Sequence, residues 1–314
     1  MATLLTGVGY IGAALLRRLH ERGEHVVALD NFFSTSRDAV AAALPPNTQL
    51  IEGDVADTDA VSRAFDAATR NQDHQTTVYH LAAQPSAAIA TREPDVTERS
   101  NLTGARVVLE AARQHAARVV FGGSFRVYGD ELTNTTVDEN AAYGRVGDLS
   151  HLSKVYVEQL ARMLGVAFVS VRLGVAYGRS PIMKTTPAFM TVPNLFCQRA
   201  ASGDVLRVLE DRPLAFIHVD DAAAALVFAA DHMHDGWQVV NAAPEVATIG
   251  QLARAVQRVA QARGQWVRIH GAAASEAGFT VSSRLAADGF APTHTLATGL
   301  PDVYDFFVQE ARRT

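Results

Sequence analysis

Cysteine is nearly absent. Cys197 is the single one in 314 residues, so no internal disulfide can form, and the 11 histidines are dispersed without the Cys/His spacing of a structural metal site. His232 and His234 flank one residue and read as a solvated helix end. No metal is expected. Runs of lysine or arginine are also missing and the formal charge is −5, which excludes the basic footprint of a nucleic-acid binder. The acid excess is too small for an acidic interaction tail. No stretch of eighteen apolar residues occurs, and no basic region with a long apolar segment precedes the first strand pattern, so neither a membrane span nor a secretory leader is expected. These absences predict a cytoplasmic protein with a small-molecule partner and room for a homodimer. There is no internal repeat and no low-complexity tract beyond a general richness in alanine. What is present is 48% hydrophobic residues, enough for a sizeable core in one two-lobed unit or two closely joined domains.

The most informative stretch is TGVGYIG, Thr6 to Gly12, between the apolar run Ala2–Leu5 and the helical pattern Ala13–Arg22. A buried strand, a glycine turn and a helix N-terminus in that order form a site for a pyrophosphate. Gly7 permits the tight turn, Gly9 lets phosphate approach the backbone, and Gly12 lets the helix pack on the strand, while the helix dipole favours negative charge. Gly23 closes the helix, His25–Leu29 reads as a second strand, and Asp30 ends it at the distance where an acid meets an adenosine ribose. Dinucleotide binding is therefore expected.

Arg37–Leu44 reads as a short helix stopped by Pro45-Pro46, and Leu50–Glu52 as a short strand followed by Gly53-Asp54-Val55. Asp57 caps a helix through Asn71, and Thr77–Leu81 is a buried strand leading into Ala82-Ala83-Gln84. Strand and helix alternate four times in about eighty residues, which predicts a parallel sheet with right-handed crossovers. Val96–His115 is a helix with apolar Leu102, Ala105, Val108, Leu109 and Ala112; Arg118–Phe121 is the next strand, ending in Gly122-Gly123-Ser124. Ligands of such sheets bind beyond the carboxyl ends of the strands, so Gly7, Asp30, Asp54, Ala82 and Ser124 are expected to line one crevice. Ser150–Leu164 is a further helix and Ala167–Leu173 a further strand. From Gly174 the rhythm breaks, with Pro181, Pro187 and Pro193 ahead of a helix near Leu195–Ala201. Ala215–Val219 and Trp237–Asn241 read as strands around the helix Asp220–His232 and are expected to rejoin or flank the sheet. Thr248 caps a helix through Ala262, Trp266–Ile269 is a strand, and a helix near Leu300–Arg312 closes the chain. The fold class is α/β: a Rossmann-type doubly wound parallel sheet over 1–173, rejoined by about 215–243, with a smaller discontinuous substrate lobe over 174–214 and 244–314.

In order, TGVGYIG, LDN, GDV, HLAAQ, NLTGARVVLEAAR, VYGD, the SK of HLSKVYVEQLA, VRLGVAYG, FIHVDDAAAAL and a closing GL-x₆-F helix resemble the extended short-chain dehydrogenase/reductases, the NAD-dependent nucleotide-sugar epimerases and dehydratases. The resemblance spans nearly the whole chain. It implies coenzyme contacts at Gly7, Gly9, Tyr10, Ile11, Gly12, Asp30, Asn31, Ser34, Arg37, Asp54, Val55, Leu81, Ala82, Ala83 and Lys154. It also implies that Lys154 holds the nicotinamide ribose and that Ser124 hydrogen-bonds a substrate carbonyl. In that family a Tyr four residues before the Lys exchanges the substrate proton; here that position is Ser150. An aliphatic hydroxyl is a poor acid, so Ser150 is expected to cap its helix instead. His151, three residues before Lys154, is the best protein candidate for the proton. Tyr143 and Tyr128 are phenols close in sequence, Tyr128 being packed in its turn. The phosphate loop is one residue shorter than usual. The Asn and Arg that contact the sugar-nucleotide pyrophosphate in the relatives are Val175 and Leu214 here, which makes a nucleotide sugar an unfavourable ligand. Arg212 and Arg179 could compensate, or be solvated loop charges.

The resemblance to members of this fold that lack the Tyr implies an NAD(P)H-dependent ketoreductase acting on a hydroxylated, angucyclinone-like aromatic polyketide in antibiotic biosynthesis. A phenol of the substrate would supply the proton. Ile182, Met183, Phe189, Met190 and Phe196 would suit a large flat ligand, or be core. Asp30 by itself favours NAD(H). Asn31, Ser34, Ser36 and Arg37 could hold a 2′-phosphate if Asp30 turns away, and the resemblance favours NADP(H). Two alternatives stand beside this: a redox-inactive NAD(P)-binding regulator or scaffold, and a nucleotide-sugar epimerase or dehydratase. Dehydratases carry acids directly after the Ser or Thr, where Phe125 and Arg126 stand here.

Overall fold

A computed structural model describes residues 3–70, 75–234, 236–271 and 278–312. Ala2 and Asn71, expected in the first strand and at the end of a helix, lie outside the described residues. Seven strands, Thr3–Thr6, Val26–Asp30, Thr48–Glu52, Thr77–His80, Arg118–Ser124, Phe168–Leu173 and Trp237–Ala242, form one sheet. Numbered along the chain, their spatial order is 7-6-5-4-1-2-3, and every neighbouring pair is parallel. The order reverses beside the first strand, and there the crevice opens beyond the strand ends. Successive residues of the first strand point to opposite faces. Leu5 packs with the helices Tyr10–Glu21 and Val219–His232, and Leu4 with Thr58–Thr69 and Gly104–Gln114. Both faces are covered, which is why the strands read as continuous apolar runs.

Two of the expected caps form. Asp57 accepts from Asp59 N, and Thr248 makes a capping box with Gln251. The helix expected over Val96–His115 instead begins at Pro94 and contains a π-helical segment, Glu98–Thr103, before Gly104–Gln114. The wider turn holds buried Asn101, whose amide oxygen accepts from Gln84 N at 2.7 Å while its nitrogen donates to Gln84 O at 3.0 Å. That exchange fixes the loop beyond the fourth strand. A short helix, Ala87–Arg92, follows it.

The strand expected over 215–219 does not enter the large sheet. It runs Pro213–His218, parallel to Val175–Tyr177 and antiparallel to Glu245–Thr248, in a separate three-stranded sheet. Leu214 and Phe216 of that sheet share a second core with the helices Val192–Ala201, Ile249–Gln261 and Leu296–Ala311. The expected strand at 266–269 is displaced to Ile269–Gly271, paired with Leu206–Val208. Among the described residues no helix is long and apolar enough to cross a membrane.

Candidate active site

The glycine turn is shaped by contact distances. Gly7 has φ +90°, and a Cβ there would lie 2.6 Å from Ala82 N; at Gly12 it would lie 2.0 Å from Gly7 O. At Gly9 it would meet only Lys184 Nζ, at 3.9 Å, so this side of the turn is open. Gly9 is the N-cap of Tyr10–Glu21, with no side-chain cap and no acid in the first turn. Its amide donors are therefore left for an anion, and a dinucleotide pyrophosphate fits this cradle. Asp30 closes the turn from the neighbouring strand: Oδ2 accepts from Val8 N and Oδ1 from Phe32 N, both at 2.6 Å. Tyr10 ties the turn to the second lobe by donating from its hydroxyl to Gly178 O at 2.6 Å.

A cavity of about 490 Å³ runs from this turn between the lobes. Of the residues expected at the coenzyme, Gly7, Gly9, Tyr10, Ile11, Gly12, Ser34, Leu81, Ala83 and Lys154 line it, together with Ser124 and His151. Asp30, Asn31, Arg37, Asp54, Val55 and Ala82 do not. Each has contacts of its own. Ala82 lies with its backbone against Gly7, and Val55 is core. Asn31 accepts from Phe33 N, and Asp54 accepts from Ala56 N and pairs with Arg99. Arg37 is exposed, 3.6 Å from Glu52.

Lys154 projects from the helix Leu149–Leu164, donating to Gly122 O at 2.9 Å with its ammonium 4.7 Å over the Phe121 ring. Burial lowers its pKa from 10.5 to about 8. Ser124 ends the fifth strand, and its Oγ accepts from Arg126 N at 3.3 Å, which leaves its O–H to donate. The helix N-cap is Asp148, not Ser150: Asp148 Oδ1 accepts from His151 N at 3.0 Å. Ser150 lies inside the first turn, buried, donating to Asp148 Oδ1 at 2.6 Å. His151 Nδ1 lies 2.8 Å from Asp148 Oδ2, and Arg126 Nη1 is 3.3 and 3.4 Å from its two ring nitrogens. Burial by itself would raise the Asp148 carboxyl, but the hydrogen bonds from His151 and Ser150 outweigh it and hold the group well below the usual range.

Neither nearby phenol lines the cavity. Tyr143 donates to Glu158 Oε2 at 2.8 Å and Tyr128 to Asn241 Oδ1 at 2.9 Å, and burial pushes both up to about 12.

The substrate side is mostly carbon. Val175 and Leu214 line it with Phe125, Leu132, Phe189, Met190 and Phe279. Ile182 and Phe196 are core instead, and Met183 lines a neighbouring cavity. Arg212 and Arg126 are present, but both bind Asp130: Arg126 by two bonds of 2.9 and 2.7 Å, Arg212 by one of 3.0 Å. Arg179 lies outside this cavity, 5.8 Å from the Phe306 ring centre. Sequence reasoning missed Asp148 and Lys184. An Asp three residues before His151 is a capping signature and was legible; nothing local marks Lys184.

A family model, "NAD dependent epimerase/dehydratase family", matches residues 3–243. The chain is 27% identical over 247 residues to the UDP-N-acetyl-alpha-D-glucosaminuronate decarboxylase of Bacillus cytotoxicus, covering 76% of this chain and 73% of that protein. It is 31% identical over 168 residues to the UDP-glucose 4-epimerase of Erwinia amylovora, covering 52% of this chain and 48%, about half, of the epimerase. In structure it is similar to the Thermus thermophilus UDP-glucose 4-epimerase in complex with NAD, with a TM-score of 0.81 and 25% identity over 98% of this chain and 99% of that one. Because that family model matches well over half of the chain, the chain belongs to the NAD dependent epimerase/dehydratase family.

Proposed function

We propose that this protein is a nicotinamide-dependent reductase of a ketone carried on a largely apolar substrate, with hydroxylated aromatic ketones of the polyketide, angucyclinone-like type as the substrate class. The observation that carries this reading is the substrate side of the cavity. Val175 and Leu214 present carbon, and the two arginines there already share Asp130. A diphosphate bound at this place would lose water without gaining an uncommitted cation.

When bound, the coenzyme supplies hydride. The glycine turn would hold its pyrophosphate, and Lys154 its nicotinamide ribose. Ser124 orients the substrate carbonyl through its free O–H. The Ser150 hydroxyl is committed to Asp148, and we assign the proton to a hydroxyl of the substrate beside the carbonyl, with His151, oriented by Asp148 and lining the cavity, as the protein alternative. The expected preference for NADP(H) required Asp30 to turn away and Arg37 to face the cleft. Asp30 is instead locked beneath the turn and Arg37 points to Glu52, an arrangement that supports NAD(H) as well.

The names of the relatives favour a second reading, a nucleotide-sugar epimerase or decarboxylase, because all three are enzymes of UDP-sugars. Two assays separate the readings: NAD(P)H absorbance with a panel of hydroxylated polycyclic ketones, and chromatography of UDP-glucose or UDP-glucuronate after incubation with NAD. Reduction of a ketone with no sugar turnover supports the reductase, whereas sugar turnover alone replaces it. Coenzyme binding with neither reaction leaves the regulator.

A further inference from the structure

The chain has two lysines against 26 arginines, and both lysines line the same cavity. Lys154 has its role on the catalytic helix; Lys184 has none so far. We propose that Lys184 is a coenzyme-phosphate ligand supplied by the second lobe, its ammonium closing over the glycine turn to bind a phosphate oxygen of the dinucleotide. The inference rests on the dinucleotide reading of this cleft and adds a residue to it.

Lys184 follows the Val175–Tyr177 strand and crosses to the loop after the second strand, some 150 residues away in sequence. Its Nζ donates to Ser34 O and Ser34 Oγ, each at 2.8 Å, and to Thr35 Oγ1. All three acceptors are neutral, and among the described residues Lys184 makes no ion pair. The nearest carboxylate on the cleft side, Asp30, has both oxygens bound to backbone amides. The ammonium also faces the open side of Gly9, 3.9 Å from where a Cβ would stand, so it shares its space with the amide donors of a helix N-terminus. Two centres of positive potential thus meet at this opening, where the one carboxylate acting on Lys184, Asp30, is tied to backbone amides of the turn. A phosphate between them would satisfy both. Burial lowers the pKa of Lys184 from 10.5 to about 8, and the Asp30 carboxylate offsets only part of that desolvation. Lysine suits the task better than arginine, since a compact ammonium can keep one bond to the Ser34 loop and turn another toward the ligand.

The test is coenzyme affinity without substrate, from fluorescence titration of NADH and NADPH into wild type, Lys184→Met and Lys184→Arg. Lys184→Met should bind about 10- to 100-fold more weakly, the range of one charge-assisted hydrogen bond, and Lys184→Arg should recover most of the loss. Equal loss for both coenzymes assigns Lys184 to the pyrophosphate, and loss confined to NADPH assigns it to the 2′-phosphate. Unchanged affinity in Lys184→Met for both coenzymes overturns the proposal while leaving the dinucleotide site intact. Wild type that binds neither overturns the dinucleotide reading and the proposal with it. A measurement on the native side chain covers the case of an unfolded variant. With [6-¹³C]lysine incorporated, the Lys184 signal, assigned in Lys154→Arg protein, should shift on saturation with coenzyme. A stationary signal would refute the contact.

Discussion

The two lysines permit a direct measurement of what burial does at this site. Lys154 and Lys184 are each lowered from 10.5 to about 8, in both cases first by desolvation of the ammonium. The difference of about 2.5 corresponds to about 3 kcal/mol of disfavoured charge per lysine, an order-of-magnitude figure. Below pH 8 both folded and unfolded chains carry the proton, and the folded protein bears the full penalty. Between pH 8 and 10.5 the unfolded chain binds more protons than the folded one, so stability should rise with pH across that window. Two signals from [6-¹³C]lysine, followed from pH 6 to 11, should titrate near pH 8 in the coenzyme-free protein. In urea unfolding, the stability difference between wild type and a Lys154→Met/Lys184→Met double variant should move in favour of wild type by several kcal/mol from pH 7.5 to 10.5, of order 3 per lysine. Saturating coenzyme should raise the Lys184 midpoint, because an adjacent phosphate favours the charged form. Midpoints near the unperturbed value of about 10.4 for both signals would refute the desolvation argument and the electrostatic picture of the cleft built on it.

Arg172 donates to Glu158 at 2.7 and 3.1 Å, and Glu158 is 0% exposed, so Arg172→Met should destabilise by about 3–5 kcal/mol in urea titrations; Arg172→Met/Glu158→Leu should recover much of it. Gly12→Ala forces a methyl to within 2.0 Å of Gly7 O, so the turn must open; unfolding midpoints should show a loss of about 1–3 kcal/mol and fluorescence titration weaker coenzyme binding. Ser124→Ala should lower the single-turnover rate about 10-fold through poorer carbonyl positioning, while Ser150→Ala and His151→Ala each keep most of the turnover. Methylating the substrate phenol beside the carbonyl should slow reduction by about 10²-fold in the same stopped-flow assay, and an unimpaired methyl ether would return the proton to the protein or to water.

Much of the dinucleotide half was legible because its signals are local. Gly7, Gly9 and Gly12 answer to contacts within one turn, Asp57 and Thr248 to capping geometry within three residues, and the buried strands to their own apolar runs. The same locality placed Ser124 at a strand end and Lys154 on a helix of the same cleft. Even near Lys154, a local signal was misread when the cap was given to Ser150 and not to Asp148, since both residues are good caps and only the backbone conformation chooses between them. Membership of the small sheet by Pro213–His218 was not legible, because a buried apolar strand suits either sheet equally. Nor was the fate of the charges. Whether Arg212 is free for a phosphate depends on Asp130, 82 residues earlier, and whether Tyr143 reaches the substrate depends on Glu158. Composition, periodicity and short motifs thus determined the sheet, the glycine turn and the helix that carries Lys154, since each is an interaction between near neighbours in the chain. Tertiary structure alone decided which charges are spent on one another, and it brought Lys184 to Ser34 across 150 residues, because such pairings follow from how the lobes close and leave no pattern in sequence.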